Sequence, residues 1–188
     1  MNPLHRDVRM AILERILMLG DEAETGYLEV KSDVDLTKPL GRAKVAKFLL
    51  GAANREPTSA SRFFHGHAVM VIGAQQGSAP GIPKGIEDHE LLRSLGPYVG
   101  EQFPLPEIFR LPAGEDPTRE VLVVVAMPPE PGQTMFPCHK AFQPSDKQDT
   151  KHSLANGAIY VRTSTETRVA QNGGDPSVGA PCAGWRAA

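Results

Sequence analysis

Apolar residues recur at helical spacing over residues 4–19, where Val8, Ile12, Ile16 and Leu19, flanked by Leu13, form a stripe among strong helix formers. Gly20 supplies a stop. The period then changes to two. Within 27–31, Leu28 and Val30 point one way and Tyr27, Glu29 and Lys31 the other, the pattern of a short strand with one buried face. Helical spacing returns over 37–54, with Thr37 as N-cap, Pro39 in the first turn, and Leu40, Ala43, Ala46, Leu50 and Ala53 on one face. Residues 68–74 are continuously apolar, as in a strand buried on both faces, and Gly73 ends the run. Leu91, Leu92, Leu95, Val99 and Phe103 predict a helix over 87–102, bent at Gly96-Pro97. Residues 107–111 and 120–127 read as a hairpin closed by 112–119, and 159–162 as a further strand.

These elements predict an α+β fold: a single domain over 21–171, with a mixed β-sheet and helices packed on it. An amphipathic helix over 1–20 precedes it, with docking on the domain the default. The Gly-, Pro- and Ala-rich stretch 172–188 is expected to be disordered, either natively or as the truncated or frame-shifted end of a longer protein. Two connections stand out. Residues 55–67 read as a long loop carrying Arg62, Phe63, Phe64, His65 and His67. The two rings are expected to pack on the domain, although the set could also stack on bases or bind a ligand. Residues 128–156 show little hydrophobic period, and Lys140, Lys147 and Lys151 with His139 and His152 make them the most basic segment.

Composition narrows the function classes. A length of 188 residues, 40% hydrophobic and 22% charged, suits one soluble domain. The formal net charge of −2 provides no global basic field, so any polyanion must be met by a local patch. Cys138 and Cys182 have no second Cys at zinc-site spacing, and Cys138-His139 is at most half a site. No apolar run reaches 18 residues and no leader is evident, so a cytoplasmic protein without membrane contact is expected. A homo-oligomer is left open.

The candidate chemistry begins at Glu24 and continues through Glu29 and Lys31. A strand face carrying a carboxylate and an ammonium two residues apart can meet phosphate through a carboxylate-held metal or through the lysine directly. It can equally be a solvated face with an ion pair. Lys44 and Lys47, off the apolar face of the second helix, and Arg62 in the loop add cations able to contact a phosphate backbone.

The order of these pieces resembles the Schlafen AlbA-type domain family, also described as divergent AAA-like. The matching residues are Glu24, then Glu29-Val30-Lys31, Gly51-Ala52-Ala53-Asn54, Val69-Met70-Val71-Ile72-Gly73-Ala74, and Tyr160-Val161-Arg162 with the hydroxyl-rich 163–167. The resemblance covers about residues 20–170. It implies a nucleic-acid-binding module for RNA or DNA, with Arg162 on the ligand-facing side and a role in defence by analogy. Some members are metal-dependent endoribonucleases with three acidic residues. On that reading Glu24 and Glu29 would be catalytic and would hold Mg2+ or Mn2+. The third acidic position is occupied here by Gln75-Gln76, a weaker ligand for a divalent ion, unless Asp33 or Asp88 replaces it. A non-enzymatic interaction module is the third reading. Other members are described as ATP-binding, but no Gly-x-x-x-x-Gly-Lys-Ser/Thr is present to cradle a triphosphate.

Overall fold

The computed structural model describes residues 1–163 and 166–170, so the tail expected over 172–188 lies outside the described residues. Strand β2 (Ala68–Ile72) runs parallel to β1 (Leu28–Lys31) and antiparallel to β5 (Arg119–Ala126). The hairpin partner β4 (Glu107–Pro112) lies along the other side of β5. The two-residue β3 (Ile82–Pro83) continues the line of β2, so that Ile82 and Pro112 flank Glu120 from opposite sides. The result is a mixed sheet in an α+β domain. Gly81 makes the return from β2 to β3: its N–H donates to the Gly73 carbonyl at 2.8 Å, and a Cβ on it would stand 2.3 Å from that of Ala113.

The pleat sorts side chains into two cores. Ala68, Met70, Ile72, Leu122, Val124 and Ala126 face α2 (Pro39–Ala53) and α4 (Asp88–Val99). Leu28, Val30, Val69, Val71, Val121, Val123 and Val125 face α1 (Arg6–Leu19). A strand buried on both faces needs a covering layer on each, and α1 is one of them, packed on the sheet as the amphipathic stripe requires. Burying each aliphatic side chain of β2 contributes about 1.5–3 kcal/mol.

Two elements differ from the sequence pattern. Helix α2 is buried on nearly every side: Val45, Phe48 and Leu49 join the expected apolar face, leaving Arg42, Lys44 and Lys47 partly exposed within 41–53. The cause is residues 128–163, which lie across α2 as an ordered cover. Asn54, 3% exposed, fastens it: the side-chain amide donates to the carbonyls of Phe136 and Tyr160, each at 2.9 Å, and its oxygen accepts from the Phe136 N–H at 2.8 Å. Reciprocal N–H to carbonyl bonds of 2.9 Å between Phe142 and Leu154, and a 3-10 turn over Lys147–His152, hold its middle. The cover ends in the hairpin of β6 (Tyr160–Arg162) and β7 (Thr167–Val169). The second difference is α3 (Pro57–Ser61) inside the expected loop. Glu56 caps it, accepting from the Thr58 and Ser59 N–H groups, and these bonds hold its carboxyl down at about 2. Helix α4 continues unbroken past Pro97 to Val99, with Pro97 on the exposed side. Among the described residues no helix is long and apolar enough to cross a membrane.

Candidate functional site

Register decides where the charged face of β1 looks. Glu29 lies beside Met70 and Lys31 beside Ile72, so both point toward α2 rather than α1. There they meet Lys44, Lys47 and Phe48 of α2, Asp149, Lys151 and His152 of the cover, and Arg162 of β6. Together these line a polar cleft of about 720 Å3. Glu24 and Asp21 close one end, Glu166 and Thr167 another. Residues separated by up to 146 positions in the sequence, Asp21 and Thr167, thus share one concavity.

The floor of the cleft is a closed electrostatic set. Arg162, its side chain 2% exposed, pairs with Glu29 and donates to the carbonyls of Thr25 at 3.0 Å and Leu28 at 3.1 Å. Its guanidinium lies 5.6 Å from the Phe48 ring centre, and its Nε is buried without a partner among the described residues. Lys31 sits 3.1 Å from both Glu24 and Glu29 and donates to the Val30 carbonyl at 2.9 Å. Glu24 accepts from the Val30 N–H at 2.9 Å. The carbonyls of Tyr27 and Lys31 accept from β2 and its end, at Val69 and Gly73. The outward amide and carbonyl of Val30 and the outward carbonyl of Leu28 are therefore satisfied by Glu24, Lys31 and Arg162. These three side chains cap the open edge of the sheet, where unpaired backbone groups would otherwise stand.

The walls are different. Lys44 reaches Asp149 only at 4.0 Å, and Lys151 is exposed. Lys47 donates to the Lys151 carbonyl, and burial lowers the pKa of its ammonium against the opposing pull of Glu166 and Glu29. His152 is pushed down to about 4, first by burial and then by Lys44 and Lys151, so its imidazole is neutral at pH 7. Five cationic side chains, Lys31, Lys44, Lys47, Lys151 and Arg162, face five acidic ones, Asp21, Glu24, Glu29, Asp149 and Glu166. The cleft is polar but electrically balanced.

Of the residues nominated by sequence, Glu24, Glu29, Lys31, Lys44, Lys47 and Arg162 come together, and Arg62 does not. Arg62 follows α3 and lines a separate pocket beside α1. Lys151, Asp149 and His152 are the cleft residues that spacing could not place, since nothing in 128–156 indicates which way the cover folds. Their one signal was the basic character of that segment.

The donor set does not fit a divalent cation. Glu24 and Glu29 already accept from Lys31, Arg162 and a backbone amide, and a metal between them would sit against two cations, of which Arg162 is buried. Asp33 is exposed outside the cleft lining, and Asp88 pairs with Arg110 at the α4–β4 contact. Gln75 and Gln76 lie in another crevice, beside Leu19 and Gly20. There the Gln76 amide donates to the Met18 carbonyl at 3.2 Å and the Gly77 N–H to that of Leu17 at 2.8 Å, closing the C-terminal end of α1. A carboxylate could not donate this bond. Among the described residues no group of three or more His, Cys, Asp or Glu is arranged to hold a metal ion. His67 of the His65-x-His67 pair is buried with Nδ1 2.8 Å from the Phe64 carbonyl.

Compared with protein families, curated proteins and solved structures, the chain matches none.

Proposed function

We propose that the protein is a nucleic-acid-binding module that holds a single strand of RNA or DNA by its phosphates in the cleft between β1, α2 and the cover. The observation that carries this reading is that Lys44 and Lys47 of α2 and Lys151 of the cover line one polar concavity with the Glu24, Glu29, Lys31 and Arg162 set. The ordered resemblance to Schlafen AlbA-type domains supports it. In this reading Lys31 and Arg162 shape the groove, because their donors are engaged by Glu24, Glu29 and backbone carbonyls. Phosphate contact falls to Lys44, Lys47 and Lys151. No cleavage step is derived, since the carboxylates do not fit a metal.

The charge balance makes the proposal quantitative. Three lysines neutralising three phosphates of a single strand give a slope of about −2 in log affinity against log salt, and five cations would give about −3.5. Fluorescence anisotropy of labelled single-stranded RNA and DNA between low and physiological salt reads this slope. Lys44→Glu and Lys151→Glu are expected to abolish binding at physiological salt with the fold intact by circular dichroism, whereas Arg62→Ala leaves it at the cleft unchanged. Absence of binding to either nucleic acid at low ionic strength would remove the reading.

A further inference from the structure

The pocket holding Arg62 lies on the opposite side of β1 and has a different character. It measures about 300 Å3, at the lower end of volumes that take a small ligand. Its walls are apolar: Val8, Ala11 and Ile12 of α1, then Leu28, Phe63 and Phe64. The charged side chains among its described lining residues are Arg15 and Arg62, both exposed, and none of those residues is a carboxylate; Met1, with its terminal ammonium, also lines it. Neither guanidinium has a hydrogen-bond or ion-pair partner among the described residues. An apolar cavity with two unneutralised cations at its rim is complementary to an anion with an apolar body.

The aromatic geometry specifies that body. Phe63 and Tyr27 are stacked with centroids 4.4 Å apart and planes 16° from parallel, and Phe64 meets Tyr27 edge-on at 5.0 Å. Phe63 is nonetheless 49% exposed, because Tyr27 covers one of its faces. The loop is built to hold it there. Phe64 and His65 both adopt left-handed backbone, with φ of 48° and 53°, a conformation costly for residues with a side chain. That turn buries Phe64 while leaving Phe63 outward. Arg55 fastens the loop to the end of α2 by donating to the carbonyls of Gly66 and Ala52. A half-exposed ring lining the same pocket as two guanidinium groups without partners among the described residues offers a stacking platform beside an anion clamp.

We infer that this pocket is a second binding site, for a nucleotide: Phe63 stacks the base, and Arg15 and Arg62 hold the phosphate. The nucleotide is either a free monophosphate or one residue of a strand. This inference stands apart from the cleft, since none of Phe63, Arg15 and Arg62 lines the cleft.

Isothermal titration of the full chain with adenosine 5′-monophosphate tests it, with adenosine, inorganic phosphate and decanoate as comparison probes. The monophosphate is expected to bind saturably, at least tenfold tighter than adenosine or phosphate alone. Phe63→Ala and Arg62→Ala should each weaken it about tenfold or more, and Lys44→Ala should not. Both altered side chains are exposed, and circular dichroism confirms that the fold is kept. Competition by a single-stranded oligonucleotide assigns the site to a strand's own nucleotide, and additive binding assigns it to a free one; both sustain the site. No binding of the monophosphate, binding insensitive to Phe63→Ala and Arg62→Ala, or tighter binding of decanoate would overturn it. Loss of strand binding in Lys44→Glu with monophosphate binding retained separates this site's outcome from that of the cleft.

Discussion

On the α2 side of β1, Arg162, Lys31, Glu24 and Glu29 face one another at contact distance and leave few donors to a ligand. On the α1 side, Arg15 and Arg62 line the pocket beside the Tyr27–Phe63 stack with no hydrogen-bond or ion-pair partner among the described residues. The first set has the residue types that suggest chemistry in a sequence, yet its geometry is that of a structural clamp. The second has no recognisable motif, yet it is where an anion would gain most and displace least. A charged residue signals a ligand when its partner is missing, and a motif cannot show that.

The comparison can be broken most sharply at Arg162. If the floor is a clamp, Arg162→Ala leaves Glu29 paired with Lys31 but takes the guanidinium from Glu29 and from the Thr25 and Leu28 carbonyls, and urea denaturation should show a loss of about 3 kcal/mol. A near-neutral result would mean that the guanidinium is free for a ligand after all. Asn54→Ala follows in size. It removes three bonds that tie the cover to α2 and should cost about 2–3 kcal/mol, with faster proteolysis within 128–156. Gln76→Asp, which installs an acid where the resemblance expects one, should cost about 1 kcal/mol by opening the end of α1, and should not create metal-dependent cleavage. Arg62→Ala, on the unpaired side, should lie within about 0.5 kcal/mol of the native chain.

Acidity sharpens the same contrast within the cleft wall. His152 titrates lower in the folded chain, at about 4, than in the unfolded one at 6.5. Above 6.5 both states are neutral at this residue and its contribution to stability is fully present. As pH falls from 6.5 toward 4 only the unfolded chain takes up the proton, so stability declines across that window. His152→Gln should flatten the profile between pH 6.5 and 5, above the range in which ordinary carboxylates titrate, as followed by thermal melts.

Much of the fold was legible because burial imposes period. The stripe of α1, the alternation over Leu28–Lys31, the continuous run of β2 and the β4–β5 hairpin appear where their patterns place them, whereas Tyr27, expected on the face of Glu29 and Lys31, packs on the α1 side with Leu28 and Val30. The cover did not, since its order comes from single long-range bonds such as Asn54 to Phe136 and Tyr160, which leave no periodic trace. For the same reason α2 was read as having one apolar face when nearly all of it is enclosed. The cleft was legible in six of the seven nominated residues. What the sequence could not indicate was pairing: Lys31 and Lys44 look alike in a string of letters, and only coordinates reveal that one sits between two carboxylates while the other reaches a single acid at 4.0 Å.

The capped side of β1 has a consequence for assembly. A second copy could not lengthen the sheet there by strand addition without first dislodging Arg162 and Glu24 from Leu28 and Val30 and breaking the pairing of Arg162 with Glu29. Among the described strands, β4 forms the long border on the other side of β5, so a dimer that extends this sheet is expected to join along it.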